Sequence, residues 1–172
     1  MVPFNQAVKF GVITGAALIA YSVVLYVTDV NLFDTVFSII NGLINFGLLI
    51  FMAVFAINKT RDLQLEGKIT FLQAFLVGGV TLLIASYINS LFGFVLNQYI
   101  DPEYLTRQMD NFINNLEGKV PENMMDGIIE KMEENSDAMK NLIKGLWMSP
   151  IFAIVVSAII SLFIKKDATA QS

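Results

Sequence analysis

The longest uncharged stretch of this chain is ITFLQAFLVGGVTLLIASYINSLFGFVLNQYI, residues 69–100. Its 32 residues lie between Lys68 and Asp101 and are mostly apolar. A helix needs about 20 such residues to cross the hydrocarbon core of a bilayer, which is about 30 Å thick. This stretch therefore predicts a membrane-spanning helix with residues to spare at its ends.

Three further uncharged stretches have the same character. They cover residues 10–28, 35–58 and 145–164 and contain 19, 24 and 20 residues. We therefore predict an all-α fold, a four-helix transmembrane bundle that forms one integral membrane domain over residues 1–172. The spans are predicted at about 8–28, 35–58, 71–98 and 145–165.

The composition is that of a protein that lies in lipid, and it limits the kinds of catalysis that the side chains could carry out. Charged residues make up 15% of the chain, against about 25% in an average soluble domain. The chain has no Cys and no His, which excludes thiol nucleophiles, disulfides and imidazole acid–base catalysis. The spans also lack the ionisable residues that proton relays and most membrane enzymes need. We predict no catalytic residue, metal site or cofactor, and a protein that is not an enzyme.

The distribution of basic residues predicts the orientation. The first loop, 29–34, has two acids and no base, whereas the second loop carries Lys59, Arg61 and Lys68. Lys165 and Lys166 follow the fourth span directly. Because Lys and Arg near span ends mark the cytoplasmic side, we predict that both termini are cytoplasmic. The segment between spans three and four then lies on the outer side of the membrane.

That segment, residues 102–144, is predicted to form an external helical hairpin. Asp101-Pro102-Glu103 is typical of a helix start, Gly118 of a helix end and Pro121 of a second start. Apolar residues recur at helical period in both arms, and the second stripe runs on into the fourth span. We expect the second arm to extend that span rigidly, although residues 135–137 could break the helix or cap a fresh start. We also expect Phe112 to pack against Ile128 or Ile129.

Polar and small residues inside the spans predict how the helices associate. Asn41, Asn45, Ser86 and Asn89 are interpreted as interhelical hydrogen-bond partners, with the lining of a cavity as the alternative. Small residues at helical spacing let backbones approach closely in lipid. We assign this packing role to Gly11, Gly15, Gly79, Ser90, Gly93, Ser149, Ala153, Ser157 and Ser161.

Two local patterns flank the third span. They are GKITFLQAF at 67–75, where Thr70 and Gln73 fit a capping box, and YIDPEY at 99–104. With four spans, a basic second loop and a polar helical segment before the last span, the chain resembles the bacterial inner-membrane family called domain of unknown function 4199. The resemblance covers nearly the whole chain. It implies this architecture and no activity, cofactor or site residue. It also implies the cell inner membrane, so that the outer side, with the segment 102–144, would be periplasmic.

Two functions remain open from the sequence. The first is a non-enzymatic structural or accessory membrane protein that acts through helix packing and its acidic external hairpin. The alternative is a small oligomeric transporter or channel for an uncharged or lipid-like substrate, which predicts a cavity lined by Asn41, Asn45, Ser86 or Asn89. The predicted partners are the lipid bilayer and either a second copy of the chain or another membrane protein, and not nucleic acid.

Overall fold

The computed structural model describes residues 2–134 and 136–165 and contains six α-helices and no β-strand in that part of the chain. A five-residue π-helical segment, Leu96–Ile100, continues the third helix. The α-helices are α1 (Asn5–Val27), α2 (Thr35–Gln64), α3 (Phe71–Val95), α4 (Tyr104–Leu116), α5 (Glu122–Glu134) and α6 (Ala138–Ile164).

Four of these helical segments are long and apolar enough to cross a membrane. They are Asn5–Val27, Thr35–Gln64, Phe71–Ile100 and Ala138–Ile164. The predicted all-α fold with four span-like helices is therefore confirmed. The capping box at the start of α3 is confirmed too, since Gln73 N donates to Thr70 Oγ1 at 3.3 Å and Thr70 N donates to Gln73 Oε1 at 3.0 Å.

The third helix is the centre of the bundle. It packs against α1, α2 and α6, and it runs parallel to α1, because Thr81 donates to Ala7 O at 3.3 Å while Gly15 lies against Ile88. A cluster of small and branched residues fills the end of the bundle where α1 begins and α6 finishes. Its buried members are Ala7, Ala53, Ala56, Ile57, Ile69, Ala74, Val77, Leu82, Ala153, Val156 and Ile160.

The other end of the bundle, which carries the first loop and α4, is packed less tightly around α2. We call it the α4 end. All buried residues of α2 lie in its second half, at Ala53, Ala56, Ile57 and Thr60. In its first half large apolar side chains are exposed, including Leu43, which is 67% exposed. The first half of α2 therefore packs loosely against the core of the bundle, and a cavity lies beside it.

The helix that contains the fourth predicted span begins before that span does. Residues 138–144, predicted to belong to the external hairpin, form the first two turns of α6. The Asp137 carboxylate accepts hydrogen bonds from Met139 N and Lys140 N, both at 2.9 Å, and so caps a new helix. The expected rigid continuation from the second arm into the fourth span is wrong, because α5 ends at Glu134 and α6 has its own cap.

The two shorter helices occupy the segment where the external hairpin was predicted. Gly118, the predicted helix end, has a φ of +74°, the left-handed conformation that favours glycine just after a helix. The ring of Phe112 lies 6.3 Å from the ring of Phe33 in the first loop. The packing of Phe112 on Ile128 or Ile129, and with it the hairpin itself, stays a prediction.

Candidate functional site

A cavity of about 300 Å³ lies at the α4 end, between α1, α2 and α3. Four asparagines line it, two from α2 and one from α3, with the fourth in the π-helical segment. Leu32 of the first loop and two residues of α4 border it as well. The lining residues are Tyr21, Ser22, Leu25, Leu32, Asn41, Asn45, Asn89, Phe92, Gly93, Leu96, Asn97, Tyr104 and Leu105.

A second, smaller cavity of about 200 Å³ lies between α3 and the start of α6. It shares Asn89, Gly93 and Asn97 with the first cavity. These three residues are four positions apart on one helical face, so the same polar stripe borders both spaces. At the α4 end of the bundle, one cavity thus lies on each side of the helical face that carries Asn89 and Asn97.

The asparagine side chains leave much of their hydrogen-bonding capacity unused. Asn45 Nδ2 donates to Asn41 O at 2.8 Å and to Asn41 Oδ1 at 2.7 Å. Asn97 Nδ2 donates to Gly93 O at 2.7 Å, while Asn97 Oδ1 is buried without a partner. Leaving such a group unsatisfied costs about 1–3 kcal/mol. This cost points to a ligand or ordered water as the missing donor.

The predicted intramembrane contacts divide between two places. Asn41, Asn45 and Asn89 all line the cavity, and among the described residues none of them makes a hydrogen bond to another helix. Ser86 lies instead in an apolar groove of about 680 Å³ between α2 and α6, beside Phe46 and Phe152. The structure therefore brings three of the four residues together and places the fourth elsewhere.

The glycines assigned to packing on α1 and α3 behave differently from one another. A Cβ atom at Gly11 would lie 2.8 Å from Ile84, and one at Gly15 would lie 2.7 Å from Ile88, so α1 and α3 meet at this GxxxG face. A Cβ at Gly79 would contact Ser157 at 3.5 Å. At Gly93 a Cβ would meet no atom within 4 Å, so Gly93 makes no close helix contact within the described chain, and the packing role predicted for it stays a prediction.

The small residues assigned on α6 face the bundle. Ser149, Ala153, Ser157 and Ser161 are all buried. Ser90 faces Gly145, where a Cβ would lie 2.7 Å from Ser90 Oγ. Gly145, which the sequence reasoning did not single out, thus marks a close contact between α6 and α3, and its place four residues before Ser149 was the available signal.

A polar clasp, which we define as Asp29, Asp101, Arg107 and Gln108, holds α4 on the bundle. The fully buried Gln108 donates to Asp29 Oδ1 at 2.8 Å and accepts from Leu32 N at 3.2 Å. The Arg107 guanidinium donates to both carboxylate oxygens of Asp101, at 3.0 and 2.7 Å. Sequence reasoning missed the clasp because Asp29 and Gln108 are 79 residues apart.

The clasp also perturbs its ionisable groups. The hydrogen bonds from Arg107 hold the pKa of Asp101 below its ordinary value of 3.8, and Asp101 in turn raises the pKa of Arg107. Burial, followed by the negative charge of Asp29, raises the pKa of the Tyr104 hydroxyl. The ring of Tyr104 packs edge-on against Tyr26 at 5.1 Å. Tyr104 is therefore a neutral, fixed part of the cavity wall.

The family model described as a protein of unknown function, DUF4199, matches residues 9–166. The chain belongs to the DUF4199 family. No curated protein and no solved structure matches this DUF4199 chain. The family description names no activity, so any role for the cavity and the clasp depends on their own geometry.

Metal coordination finds little support in the described part of this DUF4199 protein. Among residues 2–134 and 136–165 no three His, Cys, Asp or Glu side chains are grouped so that they could hold a metal ion. The cavity offers neutral amides and hydroxyls in place of the carboxylates that hard cations prefer. Its chemistry is that of hydrogen bonding to an uncharged group.

Proposed function

We propose that this DUF4199 protein is a non-enzymatic structural or accessory protein of the inner membrane that presents α4 to a protein partner. The observation that carries the proposal is the clasp, because the buried Gln108 of α4 is hydrogen-bonded to Asp29 and Leu32 and so fixes α4 to the first loop. A helix that only connected two spans would not need a buried polar side chain to hold it in place. Such a side chain destabilises the fold unless all of its hydrogen bonds are made.

The exposed side of α4 suits an aqueous partner. Tyr104, Gln108 and Met109 are buried against the bundle. The exposed positions of α4 include the polar residues Thr106, Asp110, Asn111, Asn114 and Asn115. Because α4 is already held in place, less conformational entropy is lost when a partner binds to it.

The absence of catalytic side-chain types supports a non-enzymatic role. The chain has no Cys or His. The α4-end cavity is lined by amides, hydroxyls and apolar groups, none of which is a general base near neutral pH.

The proposed orientation places both termini in the cytoplasm and α4 on the outer side. Lys59, Arg61, Lys68 and Lys165 support it, because all four lie at helix ends opposite the α4 end. Lys166 lies outside the described residues. The partners we propose are the bilayer and a second copy of the chain or another membrane protein, with no nucleic acid.

The transporter or channel alternative gains no support from the cavity. Transport needs a path that opens to each side in turn, whereas the cavity lies at one end of the bundle and the other end is closely packed. Ser86, which the alternative also placed in the path, lies in a separate groove.

Site-specific photocrosslinking in native membranes tests the proposed presentation of α4. A photoreactive residue at Asn111, on the exposed face of α4, should give a discrete protein adduct. The same residue at Phe163, which is 83% exposed on α6, is the control for contacts with lipid and bulk membrane protein. Combining the Asn111 probe with Gln108→Leu should reduce the adduct several-fold, since the buried anchor is lost.

Two results would contradict the proposal. One is the same set of adducts at Asn111 and Phe163. The other is a protein adduct at Asn111 that Gln108→Leu leaves unchanged, which would show that the clasp has no part in presenting α4.

A further inference from the structure

We propose that the asparagine-lined cavity at the α4 end is a binding site for an uncharged, hydroxyl-bearing amphiphile taken up from the bilayer. The hydroxylated head would lie among Asn41, Asn89 and Asn97, and its hydrocarbon chain would leave toward the lipid. This inference is independent of the partner proposed for α4 and goes beyond it.

The unused hydrogen-bonding groups fit a hydroxyl. Asn97 Oδ1 is a buried acceptor that lacks a donor, and no hydrogen bond involves the Asn89 side chain among the described residues. The Asn41 amide accepts from Asn45 and keeps its own N–H donors. A hydroxyl both donates and accepts, so one or two such groups can satisfy an acceptor and a donor that line the same cavity.

The charge of the wall excludes an ionic head. None of the described lining residues is charged. In the clasp beside it, Asp101 and Arg107 form an ion pair with N···O at 2.7 Å, and the Asp29 carboxylate accepts a hydrogen bond from Gln108. A phosphate or carboxylate brought into this space would lose its hydration without gaining a cation. Neutral heads carry no such penalty.

The apolar part of the wall and its position indicate an amphiphile in place of a free polyol. Leu25, Phe92 and Leu96 contribute hydrocarbon surface beside the amides. Leu32, Tyr104 and Leu105 border the end that faces the first loop and α4. On the α2 side, the helix exposes Ile40 and Leu43 where lipid would lie. A ligand that enters from the bilayer and contacts both the amides and the apolar side chains of the wall needs a hydroxylated head and a hydrocarbon chain. A hydroxylated lipid has both.

Native mass spectrometry of the full-length protein in detergent can test this with mono-oleoylglycerol, which is uncharged and has two free hydroxyls. Oleoyl lysophosphatidic acid has the same chain and a charged head, and free glycerol has the head without the chain. We expect binding of mono-oleoylglycerol that is at least about tenfold tighter than that of either comparison compound.

The matched variants are Gly93→Leu and Gly42→Leu. A side chain at either position meets no protein atom within 4 Å of its Cβ, but only Gly93 lines the cavity. We expect Gly93→Leu to weaken mono-oleoylglycerol binding about tenfold or more and Gly42→Leu to leave it unchanged. Asn89→Leu is the second cavity variant, since it breaks no hydrogen bond among the described residues, and it should weaken binding in the same direction.

Four results would overturn the proposal. Equal binding to the wild type and to both cavity variants would place the lipid outside the cavity. Tighter binding of the lysophosphatidic acid would refute the neutral head, and equal binding of free glycerol would refute the need for a chain. No binding of mono-oleoylglycerol by the wild type would leave a cavity that holds water only.

Discussion

Asp101 joins the third span to α4, and its carboxylate receives hydrogen bonds from Arg107 and, at 3.3 Å, from the Tyr26 hydroxyl. Because these contacts lower its pKa in the folded protein, the folded state binds a proton less readily than the unfolded state. The resulting stabilisation is complete above the ordinary pKa of 3.8 and is lost as the pH falls through the lower, folded-state value.

We therefore predict that Asp101→Asn lowers the melting temperature in detergent near neutral pH. The difference from the wild type should shrink as the solution is acidified below the ordinary pKa of 3.8. Asp110→Asn, which removes an exposed carboxylate from α4, is the control. A difference between Asp101→Asn and the wild type that persists unchanged into acid would show that the charge of Asp101 is not what stabilises the clasp.

Glycine provides a second test at the level of single residues. Gly15→Ala places a Cβ within 2.7–2.9 Å of three atoms of Ile88, so α1 and α3 must separate. We expect a loss of about 1–3 kcal/mol in the free energy of unfolding. Gly47→Ala meets no atom within 4 Å and should stabilise α2 by about 0.5–1 kcal/mol, because glycine is a weak helix former. Denaturant titration of both variants in mixed micelles measures whether the free energy of unfolding falls or rises. Equal changes in the two variants would refute the assignment of Gly15 to the contact between α1 and α3.

The residue scale also shows where sequence patterns stop being informative. The spacing of Gly11 and Gly15 indicated a close contact, and the structure places Ile84 and Ile88 against them. Gly93 was assigned by the same reasoning, but within the described chain a Cβ there meets no atom within 4 Å. Spacing identifies which residues share a helical face, but the rotation of one helix against its neighbours decides what that face meets. That rotation depends on contacts distant in sequence.

At the scale of helices, the start of α6 is the clearest departure from the prediction. The apolar stripe of the second arm continues into residues 138–146, and the arm was predicted to end at Lys144 because the uncharged stretch begins at Gly145. The Asp137 side chain decides the boundary instead, by accepting from Met139 N and Lys140 N. A capping side chain determines the residue at which a helix begins. An apolar pattern shows only which face of the helix is apolar.

We predict that Asp137→Ala frays the first turn of α6, whereas Asp137→Ser preserves it. Loss of a capping side chain costs about 0.5–2 kcal/mol, and serine is an equally good cap. Amide hydrogen exchange at residues 138–141 should become faster in Asp137→Ala and remain near the wild-type rate in Asp137→Ser. Faster exchange that reached the π-helical segment at Leu96–Ile100 to the same degree would indicate a global effect and contradict a local cap.

At the scale of the whole molecule, the two ends of the bundle differ in how they are held together. One end is packed through the apolar cluster around Ile57, Val77 and Ala153. The α4 end is held by hydrogen bonds of the clasp and encloses a polar cavity. Hydropathy located the four spans because lipid imposes their length and composition. It could not locate the clasp or the cavity, since both join segments that are far apart in the chain.

The orientation of these two ends is the prediction that connects the fold to its surroundings. Asp62, with an exposed side chain near the end of α2, and Asn115, exposed on α4, lie at opposite ends of the bundle. Because the chain contains no cysteine, Asp62→Cys and Asn115→Cys each introduce a single thiol. An impermeant maleimide applied to intact cells should label Asn115→Cys, which we place outside, and should label Asp62→Cys only after the membrane is permeabilised. The reverse pattern would put the basic second loop outside and the clasp in the cytoplasm. Any partner that meets α4 would then have to be sought on the cytoplasmic side.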